Sequence, residues 1–202
     1  MSRNPDFDAD AVMSAALETF WRRGYNRSSL QLLLDATGLN RGSFYNSFGD
    51  KEAMFDACLD LYFRRLTSLV IGLLDRSPHP VQGILNVFEL TIISLPENMR
   101  QKGCLLVNTV AELGETDPRL ARHALALLQN VREAFVRALE RAAAAGLSAQ
   151  RDADPRLMAE LLFNYMNGLR VTARLQMDPP QIRDGMRQTL RLLGLSLEEA
   201  SA

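Results

Sequence analysis

The sequence predicts an all-α chain, and three observations carry that prediction. Apolar residues recur at i, i+3, i+4 and i+7 in one segment after another, as at Met13, Ala16, Leu17 and Phe20. No stretch alternates apolar and polar residues with the period of two that a half-buried strand requires. Most of the periodic segments open on a capping side chain or a proline and close on a glycine or a proline. Read this way, the chain holds about nine helices.

Residues 8 to 23 make the first helix, which Gly24 ends. Tyr25 then packs back on a small N-terminal core, and Trp21, a large aromatic at helical spacing, packs as well. Ser28 or Ser29 can cap the second helix, and Ser28 with Gln31 makes a capping box. That helix carries Leu30, Leu33 and Leu34 and stops at Gly38, where a left-handed conformation costs nothing sterically. Asn40 caps a third helix of about two turns, anchored by Phe44 and Phe48. Asp50 caps a fourth, which runs through Ala53, Met54, Phe55, Leu59, Tyr62, Phe63, Leu66 and Val70 to about Leu74. Pro78 and Pro80 around His79 break it.

A fifth helix carries Val81, Ile84, Leu85, Phe88, Ile92 and Leu95 and stops at Pro96. Glu97 to Lys102 reads as a polar loop, followed by a short apolar helix from Gly103 to Gly114. Pro118 opens a long helix with Leu120, Ala124, Leu127, Leu128, Val131, Phe135 and Ala138 on one side, ended by Gly146. Asp152 to Pro155 restarts the chain, and Asp154 caps a helix that reaches about Met177. Asp178, Pro179 and Pro180 break it, and a last helix holds Ile182, Met186, Leu190 and Leu193.

The second and third helices, joined by a tight glycine turn, have the spacing of a helix-turn-helix, whose second helix can enter a DNA major groove. Arg41, Ser43, Tyr45 and Asn46 take its exposed positions, and such side chains donate to phosphates and base edges. The candidate DNA-contacting set is Ser28, Ser29, Asn40, Arg41, Gly42, Ser43, Tyr45, Asn46 and Lys51. Spacing alone equally allows a helical hairpin with ordinary surface residues.

A family resemblance bears on that choice. Gly24-Tyr25, Ser29-Leu30, Thr37-Gly38-Leu39, Gly42-Ser43-Phe44-Tyr45, Phe48 and Lys51-Glu52 resemble the tetracycline-repressor (TetR) family of bacterial transcriptional regulators over about the first 60 residues. Leu34 departs from it, standing where the family usually has a small residue. The resemblance implies a helix-turn-helix domain over 1–50 and a ligand-binding, dimerising bundle over 51–202. It also implies that Tyr45 and Lys51 touch phosphates while Arg41, Ser43 and Asn46 face base edges. The partners it implies are a near-palindromic double-stranded operator, a small-molecule effector, and a second copy of the chain joined through the last two helices. The role expected is that of a repressor released by its effector. The helix from Asp50 to about Leu74 is then the continuous link between the domains.

Composition supports part of this. The net charge of −1 and pI of about 6.1 are not those of a simple polycationic nucleic-acid binder, so the motif carries the DNA-binding reading, not the charge. No apolar run approaches the roughly 18 residues of a membrane span, and the N-terminus is polar and acidic, so the cytoplasm is expected. Two cysteines and two histidines, far apart in sequence, make no metal site, and no cofactor is expected. Neither GxxxxGK[ST] nor GxGxxG occurs. No nucleophile with a base is apparent, so an enzyme is not expected; a helical protein-interaction scaffold is the other alternative. Phe88, Cys104, Val107, Asn108, Phe135, Phe163 and Asn167 are the candidate effector-lining residues. Cys104 follows Gly103 at a helix start near Arg100 and Lys102, surroundings that favour a reactive thiolate, and Gly-Cys-Leu here resembles family members that sense electrophiles or oxidants. Burial as a small hydrophobe is the competing reading of Cys104.

Overall fold

A computed structural model describes residues 8–149, 153–175 and 178–197. Among them are eleven α-helical segments and no named strand, only an isolated antiparallel bridge between Ser148 and Leu195. In chain order the helices are α1 (Ala9–Arg23), α2 (Leu30–Thr37), α3 (Arg41–Phe48), α4 (Lys51–Tyr62), α5 (Ser68–Arg76), α6 (Pro80–Phe88), α7 (Glu97–Arg100), α8 (Leu105–Leu113), α9 (Pro118–Ala144), α10 (Pro155–Thr172) and α11 (Pro179–Leu192). A π-helical turn at Phe63–Thr67 joins α4 to α5, and another at Glu89–Ile93 extends α6. Counting α4 with α5 as one rod and setting aside the single turn α7, nine rods remain among the described residues, as expected.

Four boundaries differ from expectation. Residues 97–100 are a helical turn, not a loop, because Pro96 supplies the carbonyl that Arg100 N–H binds. The helix expected from Gly103 starts only at Leu105, since Gly103 has φ +68. The helix expected to end near Met177 ends at Thr172, and Met177, like Asp152, lies outside the described residues. Ser29, not Ser28, caps α2 by accepting Leu32 N–H at 3.3 Å; Gln31 donates to Asp35 and closes no capping box.

The chain divides into two compact units: 8–65 with 105–127, and 66–104 with 128–197. The expected border at 50/51 therefore differs from the contact division. α4, α8 and the start of α9 group with α1–α3 because they supply apolar and polar contacts to that small core. The chain crosses between units three times, inside the π turn, at Cys104–Leu105, and inside α9. So the rod from residue 51 to 76 is not the only helix continuous through the division; α9 is a second.

The first unit is built on aromatics. Phe20, Phe44 and Phe55 are fully buried; Phe20 meets Phe55 edge-on at 4.8 Å, and Trp21 meets Tyr62 at 5.1 Å. Each such side chain contributes about 1.5–3 kcal/mol of burial. In the second unit α5 packs on α6, and a Cβ on Gly83 of α6 would lie 2.7 Å from Ser77 Cβ, so the helix needs glycine where it passes the end of α5. Arg141 of α9 donates to the carbonyls of Leu74, Asp75 and Ser77, satisfying the C-terminal end of α5. Leu157, Leu161 and Val171 are exposed on α10, with Asn164 and Gly168 between them at heptad spacing, and the exposed Leu175 follows just beyond the helix.

Candidate nucleic-acid interface

The interface is assembled by side-chain caps and glycine turns. α1 ends at Gly24, whose φ of +81 only glycine adopts easily and whose N–H binds Phe20 O. Ser29 starts α2, and Gly38, at φ +69, ends it with its N–H on Leu34 O. Leu39 is buried in the turn. Asn40 then starts α3 by accepting Ser43 N–H at 2.8 Å. Asp50 starts α4 by accepting Ala53 N–H at 2.7 Å.

These caps decide which way α3 faces. Phe44 is fully buried, with Phe48 at 6.0 Å and Tyr45 edge-on at 5.5 Å. The opposite face leaves Arg41, Gly42, Tyr45 and Asn46 exposed, with Tyr45 at 47% and Ser43 half-buried. Ser29 and Asn40 are also exposed, though their side-chain oxygens are occupied as caps. Ser28 does not join them. It is fully buried, and its hydroxyl donates to Gly24 O at 2.6 Å, because the turn after α1 folds over it.

Lys51 stands at the first position of α4, half-buried, with Nζ 4.1 Å from the centroid of the Tyr25 ring. Burial lowers its pKa below the usual lysine value, and the Glu112 charge works against that shift. Tyr25 is itself raised, by burial first and then by Glu52 and other carboxylates. Glu112, on α8, accepts the N–H of Tyr25 at 3.0 Å and of Asn26 at 2.8 Å. Sequence reasoning missed Glu112 and the platform role of Tyr25, since no local pattern links residues so far apart. It also missed the polar seam along α4, where Arg119 binds Glu52 and Asp56 and His123 bridges Asp56 and Asp60.

The expected effector-lining residues fall in both units. Val107 and Asn108 belong to the first, and Phe88, Cys104, Phe135, Phe163 and Asn167 to the second. Phe88, Phe135 and Phe163 are buried; the Phe88 ring lies 5.9 Å from Tyr165, and Arg132 stacks over Phe163 at 5.1 Å. Asn167 Oδ1 is buried with no hydrogen-bond partner. A cleft of about 160 Å³ in the second unit is lined by Gln82, Leu85, Asn86, Glu89, Arg183, Met186 and Arg187, none of them in the expected set. Cys104 is buried just ahead of α8, beside the buried Lys102. Burial pushes the Cys58 thiol up to about 12. No helix among the described residues is long and apolar enough to cross a membrane.

Known proteins share this helical fold. Residues 12–58 match the family described as bacterial regulatory proteins, tetR family, and residues 80–189 match the tetracyclin repressor-like C-terminal domain. The HTH-type transcriptional regulator YezE of Bacillus subtilis is 28% identical over 193 residues, 96% of this chain and all of that one. The HTH-type transcriptional repressor ComR of Escherichia coli is 30% identical over 125 residues, 59% of this chain and 60% of that one. Among solved structures, a cysteine mutant of the TetR-family regulator CifR bound to a 26-base-pair operator is 25% identical, with a TM-score of 0.83 over 95% of this chain and all of that one.

Proposed function

The chain belongs to the TetR family of transcriptional regulators, and from that premise we propose that it is an effector-released repressor that binds a near-palindromic operator as a homodimer. The observation that carries the reading is the exposed face of α3. Arg41, Tyr45 and Asn46 project from a helix whose other side is locked by the buried Phe44. Tyr45 and Lys51 hold phosphates in this reading, while Arg41, Ser43 and Asn46 read base edges, with Ser29, Asn40 and Gly42 at the rim. Operator binding places the protein in the cytoplasm, with the DNA.

The exposed seam of Leu157, Leu161 and Val171 on α10 supports a dimer through the last two helices. Two copies present two α3 helices to successive major grooves, roughly 34–36 Å apart. An effector that binds the DNA-incompetent arrangement better weakens operator binding, and the coupling is reciprocal, about 1–3 kcal/mol. Phe88, Phe135, Phe163 and Asn167 are the residues we assign to effector binding within the second unit, and Asn167 Oδ1 is the acceptor left for a ligand donor. Cys104 offers a covalent version, since an adduct adds volume at a packed position.

The deciding experiment is selection of bound sequences from random DNA by the purified protein. A near-palindrome with half-sites about one helical turn apart is expected. Recovery of no consensus at low salt would instead favour a protein-interaction scaffold.

A further inference from the structure

We propose that Glu112 is a positioning residue for DNA binding: from α8 its carboxylate grips the turn between α1 and α2 and thereby seats Tyr25 beneath Lys51. The inference rests on the reading above that Lys51 meets a DNA phosphate.

Both carboxylate oxygens are used. Oε2 accepts Tyr25 N–H at 3.0 Å, and Oε1 accepts Asn26 N–H at 2.8 Å. These donors follow the last turn of α1, where no helical carbonyl is placed to receive them, and a charged acceptor makes the bonds about twice as strong as neutral ones. The turn is shaped around the carboxylate. A Cβ on Gly24 would lie 2.5 Å from Glu112 Oε2, and Gly24 also needs its positive φ.

The grip reaches the DNA face through Tyr25. Its ring lies 5.0 Å from Phe55 and 6.2 Å from Phe20, so its backbone position sets its ring position. Lys51 Nζ sits over that ring at 4.1 Å, an attraction that fixes where the ammonium points.

The sign of the effect separates positioning from plain electrostatics. Removing a carboxylate near a phosphate strengthens DNA binding if charge alone matters. Positioning requires the reverse.

The test uses the full-length chain and the duplex it selects from random DNA. Affinity is measured against salt for wild type, Glu112→Gln, Lys51→Ala and the double variant. Glu112→Gln is expected to weaken binding about 5- to 20-fold and to reduce the salt slope by about one, as Lys51→Ala does. The double variant should bind within about twofold of Lys51→Ala, because both changes remove one contact. Unchanged or tighter binding by Glu112→Gln, or a loss that adds to that of Lys51→Ala with an unaltered slope, overturns the proposal. If Lys51→Ala itself leaves affinity and slope untouched, the reading beneath it fails too. Should Glu112→Gln not fold, Tyr25→Leu, which keeps both N–H donors, must still lose the slope unit, and an unaltered slope there is equally fatal.

Discussion

Asp56 Oδ1 lies 2.6 Å from His123 Nδ1, and the other ring nitrogen lies 3.0 Å from Asp60. Arg119, one turn earlier on α9, binds Glu52 and Asp56 at 2.6 Å each. Three acidic residues one turn apart on α4 thus meet two basic ones one turn apart on α9.

This seam makes stability depend on acid. Burial alone would raise the Asp56 carboxyl, but hydrogen bonds and charge from Arg119 and His123 hold it below the ordinary value of 3.8. A depressed folded value means the contribution is present above the unfolded value and is lost as pH falls through the folded one. Asp56→Asn should therefore lower stability at pH 7 by about 0.5–1 kcal/mol, a small figure because the seam is partly solvated. Denaturant midpoints for wild type and variant should converge as pH falls below the ordinary carboxyl value of 3.8 and through the depressed folded one.

The DNA contacts should divide by kind. Lys51→Ala should weaken binding to all sequences alike and reduce the salt slope by about one. Arg41→Ala should cost about 1–3 kcal/mol at the base it reads and relax preference there. A specificity change from Lys51→Ala with an intact salt slope would reverse the assignment.

The α10 seam predicts an assembly defect. Leu161 is 51% exposed in a single chain, so Leu161→Glu leaves the fold intact and places a charge in the dimer contact. Sedimentation should show monomer where wild type is dimer, with operator affinity reduced at least tenfold because both half-sites must be held at once. An unaltered dimer would move the interface off α10.

The two cysteines should differ in reactivity. Cys58 is fully buried with its thiol pushed up to about 12, so it stays protonated and inert. If Cys104 is the sensor, a mild electrophile lowers operator affinity about 5- to 150-fold in wild type and leaves Cys104→Ser unchanged. Equal loss in both proteins leaves the non-covalent effector alone.

The sequence by itself determined the local geometry of the DNA-binding face. Asn40, Asp50 and Gly38 act within three or four residues of where they stand, so caps and turns are readable from spacing. The periodicity of Phe44 against Arg41, Tyr45 and Asn46 likewise set which face of α3 is buried. Ser28 shows where local reading ends. As a residue type it suits a cap as well as Ser29 does, and only packing of the turn over α1 turned its hydroxyl onto Gly24 O. Tertiary structure alone decided that α8 and the start of α9 join the DNA-binding unit, and with them Glu112, Arg119 and His123. Their hydrogen bonds span 63 to 87 residues of chain, and no periodicity records a partner at that distance. A helix's own sequence states which face is apolar, but the side chain that reaches its polar face is chosen by how other helices pack.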